Sequence, residues 1–130
     1  TLCGLGTACS IKEGRPTVAR SQLLRREALE LALYSFTYLD GIDSTLVLLP
    51  PRPDGQAATA VFLERSDVRP ELSHPLSETL TAPLTPGIGE IKEDERRVID
   101  RLTRSRLFGY SYLQAQDGSP VMVLTPALSG

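Results

Sequence analysis

Residues 90–125 read EIKEDERRVIDRLTRSRLFGYSYLQAQDGSPVMVLT, and the periodicity of this stretch changes once, near its middle. In the first half Ile91, Glu95, Val98, Ile99 and Leu102 recur at helical spacing, while Lys92, Glu93, Asp94, Arg96, Arg97, Arg101 and Arg104 crowd the rest of the circumference. Acidic residues fall in the first turns and basic residues in the last, which suits the helix dipole. The spacing predicts a helix over 90–106. From Leu107 the period becomes two, with Phe108, Tyr110 and Tyr112 on one face and Leu107, Gly109, Ser111 and Leu113 on the other. Asp117-Gly118 is a two-residue hairpin signal, and residues 120–125 return as the partner strand until Pro126 stops it.

The same order of elements occurs upstream. A helix is predicted over 17–39, with Thr17 as its N-cap and Gly41 as a left-handed stop. Leu24, Ala28, Leu31, Ala32, Ser35, Phe36 and Leu39 form its predicted inner stripe, with Arg25, Arg26 and Glu30 displaced from it. An apolar strand over 45–49 ends at Pro50-Pro51, Pro53-Asp54-Gly55 supplies a turn, and residues 57–63 return as a second strand. An α-β-β unit used twice predicts an α+β fold: a four-stranded, mostly antiparallel sheet with two helices on one face, in the order α-β-β-α-β-β. No residue-by-residue identity links the two halves, so the recurrence concerns packing. Leu46 to Leu49 is apolar at every position, so the face away from the helices is expected to be covered as well.

Between the halves, residues 66–89 hold several prolines and glycines, yet Leu72, Leu76, Leu80 and Leu84 recur every four residues. That regularity predicts short helical turns interrupted at Pro75 and laid on the core. Residues 1–15 read as a flexible arm, and residues 16–130 as a single α+β domain, a size that buries a core without metal staples.

Composition narrows the function classes. A net charge of −2 with both signs interleaved argues against a nucleic-acid partner, whose phosphates call for a basic surface. No stretch approaches the length of a membrane span, so membrane attachment would need a segment outside this chain. The chain opens on Thr1, so a removed leader or anchor is the expectation. Cys3 and Cys9, with five residues between them, are close enough in sequence for a disulfide. Together these predict an extracytoplasmic protein, secreted or membrane-anchored.

Chemistry-bearing motifs are sparse. His74 is the single histidine, and neighbouring carboxylates make a small ligand-binding or hydrolytic domain the alternative reading. A triad needs groups converging from separate elements, which adjacent residues rarely supply. Gly4-Leu5-Gly6 and Gly87-Ile88-Gly89 are fragments of phosphate loops without the third glycine or lysine. Glu90, Glu93, Asp94 and Glu95 complement a helix N-terminus better than they suit a calcium loop. Arg15, Arg20, Arg25 and Arg26 read as a solvated helix face. No cofactor or metal is implied, and no catalytic residue is assigned. Tyr34, Tyr38, Phe108, Tyr110 and Tyr112 are candidate binding anchors. The function expected is a non-enzymatic interaction module, with a homodimer through the sheet face and an unidentified protein as its candidate partners.

Overall fold

The computed structural model describes residues 18–50, 59–80, 86–87 and 89–126, and the structural statements below concern those residues. The arm over 1–15, Thr17, the Cys3–Cys9 pair, the Pro53-Asp54-Gly55 turn and Leu84 lie outside them.

Helix α1 (Val18–Tyr38) leads through a turn into strands β1 (Ser44–Leu48) and β2 (Thr59–Glu64). A single 3-10 turn (Arg65–Val68) and the short helices α2 (Arg69–Leu72) and α3 (Leu76–Thr79) follow. Helix α4 (Glu93–Thr103), a second 3-10 turn (Arg104–Arg106) and strands β3 (Leu107–Gln114) and β4 (Pro120–Pro126) complete the order. The four strands form one antiparallel sheet in the order β1-β2-β3-β4, so the α-β-β-α-β-β architecture holds. Pro70 starts α2, where a missing N–H is harmless, and Pro75 separates α2 from α3.

Register divides the sheet into two faces. Leu46 pairs with Phe62, and Leu48, Ala60, Phe108 and Pro126 lie in one row across all four strands. Opposed residues share a face, and each strand alternates with period two. Val47, Val61, Leu63 and Leu107 therefore point together towards the helices. There they meet Leu29, Leu33 and Phe36 of α1 and Ile99 and Leu102 of α4. Val68, Leu80 and Ile91 from the connecting segments complete this core, as the regular leucines predicted. Full burial of a side chain such as Leu63 contributes about 1.5–3 kcal/mol.

Three local expectations are corrected. Leu31 and Leu39 are more than half exposed, whereas Leu23, Leu29 and Leu33 are fully buried. Leu23, Leu24, Arg25 and Arg26 are buried in succession, so this turn of α1 is enclosed on every side and a single stripe does not describe it. Arg20, Arg25 and Arg26 are accordingly not a solvated face. The hairpin loop is also longer than two residues: the Ala115 N–H donates to the Ser119 carbonyl at 2.8 Å and the Gly118 N–H to the Ala115 carbonyl at 2.9 Å. A two-residue Asp-Gly turn needs both residues at positive φ. Among the described residues only glycines have positive φ, Gly118 at +86°, so Gln116, Asp117 and Gly118 form the loop.

The two α-β-β units pack differently. Helix α1 lies on β1 and β2, while α4 packs chiefly against α1. The helix layer thus covers one half of the sheet, and the β3–β4 hairpin projects beyond it. Leu113 and Val121, paired on the helix-side face, are consequently exposed.

Candidate functional site

Away from the helices the sheet presents Leu46, Leu48, Ala60, Phe62, Phe108, Tyr110, Tyr112, Met122, Leu124 and Pro126 on one continuous face. Antiparallel pairing places them in rows, with Tyr110 opposite Leu124 and Tyr112 opposite Met122. Phe62 and Phe108 meet edge to face at 6.2 Å between centroids, and Tyr110 and Tyr112 do so at 6.1 Å. Such contacts prop the rings upright at fixed separations. On this face Leu46, Leu48 and Tyr112 are exposed, Phe62, Phe108, Tyr110, Met122 and Leu124 are half-buried, and Ala60 is buried. The described part of residues 66–89 packs on the helix side, where Val68 and Leu80 join the core. Glu64, at the end of β2, is the one ionisable acid or base in these rows other than the tyrosines.

The other two predicted anchors stand elsewhere. Tyr34 and Tyr38 stack at 5.6 Å with an interplanar angle of 26°. At 100° per residue they and Leu31 fall on the side of α1 opposite Leu29 and Leu33, facing away from the sheet. The five aromatic anchors named from sequence therefore form two separate patches. Leu46, Leu48, Phe62, Met122 and Leu124 belong to the larger patch and went unread, because only strand register reveals them.

Charged ties join α1 to α4 and to the turn after β2. Arg26, 1% exposed, donates from Nε to Glu95 Oε1 at 2.9 Å and from Nη1 to Glu27 at 2.9 Å and Glu30 at 3.1 Å. Burial alone lowers the Arg26 pKa; the hydrogen bond and charge of Glu95, then those of Glu27, outweigh it and raise the pKa overall. Arg25 donates from Nη1 to Asp100 at 2.8 Å and to Thr103 Oγ1 at 3.1 Å. Arg65 donates to the carbonyls of Phe36 and Ile42 and lies over the Phe36 ring, closing the C-terminal end of α1. These buried cations are structural ties between elements.

The acidic run before and within α4 is dispersed among separate partners. The Glu90 carboxylate accepts from the Gly87 N–H, Glu93 pairs with Arg97, Asp94 accepts from the Glu95 N–H, and Glu95 holds Arg26. Among the described residues no group of three or more His, Cys, Asp or Glu side chains is placed to hold a metal ion. Gly87 is likewise part of a turn closed by Glu90, leaving its N–H engaged. His74 is exposed, with Nδ1 3.4 Å from the equally exposed Glu78 one helical turn on.

A cleft of about 640 Å³ opens between the end of α4 and the start of β3, lined by Asp100, Arg101, Arg104, Ser105, Leu107 and Phe108 among others. Two of its charges are engaged, Asp100 by Arg25 and Arg101 by Glu71. Among the described residues no helix is long and apolar enough to cross a membrane. Comparison with protein-family models, curated proteins and solved structures found no match.

Proposed function

We propose that the chain is a non-enzymatic interaction module that binds protein through the open face of its sheet. The observation that carries this reading is an aromatic and aliphatic face running across all four strands, charged only at Glu64 and exposed at Leu46, Leu48 and Tyr112. A sheet with two apolar faces is stable in water when each is packed against another layer. The rigid ring pairs and the tyrosines supply the large, amphipathic contacts that dominate interface energetics. His74, before α3, and Glu78, within it, are exposed to solvent, and no third titratable side chain is paired with them among the described residues.

Site-specific photo-cross-linking tests it. A benzoylphenylalanine placed at Tyr112 should form protein adducts in the cells from which the chain comes, and one placed at Leu113, on the opposite face of the same strand, should not. Equal adduct yields from the two positions, or none from Tyr112, would refute the reading.

A further inference from the structure

We infer that the occupant of the open sheet face is a second copy of this chain, packed face to face about a two-fold axis; this rests on the interaction reading above and names its partner. The first argument is charge. In a two-fold interface the same patch serves both subunits, so groups near the axis meet their own copies. Any charge there would face a like charge. The rows from Leu46 to Pro126 hold no Lys, Arg or Asp, and their one Glu, Glu64, lies at the end of β2 opposite Ser44, where it falls at the rim. A partner of strong charge would gain nothing from such a surface, whereas a copy of the same surface matches it.

Area supports the same occupant. At about 4.8 Å between strands and about 3.4 Å per residue, strands of 5, 6, 8 and 7 residues project roughly 420 Å² of sheet. Two fully overlapping faces bury twice this projected area, roughly 850 Å², to which the relief of the upright side chains adds, against about 1,200 Å² at the lower end of a standard interface. Edge-to-edge growth is the poorer route. Outer strand β4 lacks an N–H at both ends, Pro120 and Pro126, and outer strand β1 has only five residues with Pro50 close behind it, which weakens both edges as ladders. The result is a four-layer helix–sheet–sheet–helix dimer, its sheets about 10 Å apart and nearly aligned. The rings of Phe62 and Phe108 lie on strands β2 and β3, the middle of each face.

Light scattering coupled to size exclusion, with sedimentation equilibrium, tests this on the full chain. The expected particle is twice 14.2 kDa. Tyr112→Asp on the inner strand β3 and Leu46→Asp on the outer strand β1, both at exposed positions of the face, should each weaken the dimer at least 100-fold while circular dichroism stays unchanged. Leu113→Asp, on the other face of β3, and Tyr38→Asp, on the outer side of α1, should leave it intact. A dimer that survives Tyr112→Asp and Leu46→Asp overturns the inference, because another surface then holds it. A monomer at 100 µM that binds anilinonaphthalene sulfonate overturns the second copy as occupant and leaves the interaction reading standing. A monomer that binds no dye overturns both, because the chain then covers the face itself.

Discussion

Replacing Glu95 with alanine removes the buried carboxylate that holds Arg26. Both side chains are almost wholly enclosed, at 1% and 2% exposure, and the Nε–Oε1 distance is 2.9 Å. Breaking such a pair from one side typically costs about 3–5 kcal/mol, since the remaining ion stays desolvated without its counter-charge. Glu27 and Glu30 also reach the guanidinium, so the lower end applies, about 3 kcal/mol. With an unfolding entropy near 2.1 cal/mol/K per residue, a chain of 130 residues should lose about 10 °C of Tm. The assay is thermal and urea unfolding followed by far-ultraviolet circular dichroism. A companion variant, Arg26→Leu with Glu95→Leu, replaces both ions by apolar side chains and should lie within about 1 kcal/mol of the wild type or above it. A Tm loss below 2 °C for Glu95→Ala, or a double variant less stable than the single one, would refute the reasoning.

Leu63→Ala opens a cavity under α1 and should cost about 2–5 kcal/mol, read as a lower urea midpoint with an unchanged slope. At Gly41, φ is +75° and a Cβ would meet nothing within 4 Å, so Gly41→Ala should cost only the backbone strain, about 1 kcal/mol, and Gly41→Asn less; equal losses for the two would contradict this. The hydrogen bond from Arg106 holds the Asp67 carboxyl below its ordinary range, with burial opposing and the Glu64 N–H assisting. A carboxyl whose folded pKa is depressed stabilises above its unfolded pKa, near 3.9, and that stability is lost as pH falls through the folded value. The stability gap between wild type and Asp67→Asn should therefore be full at pH 6 and narrow below about pH 4; a gap constant down to pH 2 would exclude the linkage.

Much of the architecture is legible in the sequence because α4 and β3 keep one clean period each and prolines or turn residues bound the apolar runs of the other strands. Glu95, Ile99 and Leu102 are buried on the predicted inner side of α4, and Ile91, just before the helix, is buried with them. Helix α1 was harder to read because its turn at residues 23–26 has no outside: with neighbours on every side, Leu23, Leu24, Arg25 and Arg26 are all buried. The signal that Arg25 and Arg26 point inward was the complementary acid at Glu95, which already sat in a stripe of hydrophobes. The surface was half legible. Period-two alternation grouped Phe108, Tyr110 and Tyr112, but membership of Leu46, Phe62 and Met122 depends on which residues lie opposite across the sheet. Alternation within one strand carries no such information.

Arg25 and Arg26 are neighbours in sequence, yet they grip α4 at Asp100 and Glu95, five positions apart. Such a splayed pair acts as a ruler. Sliding α4 by one turn would bring residues about four positions along into the same places, and Ile99 or Leu102 could still find apolar company there. The two guanidinium groups would find none of their carboxylates. Greasy contacts between α1 and α4 favour association at several offsets, and the paired arginines single out one. On this view the ions contribute uniqueness of alignment more than strength, and the sheet beneath inherits a helix layer fixed at one setting.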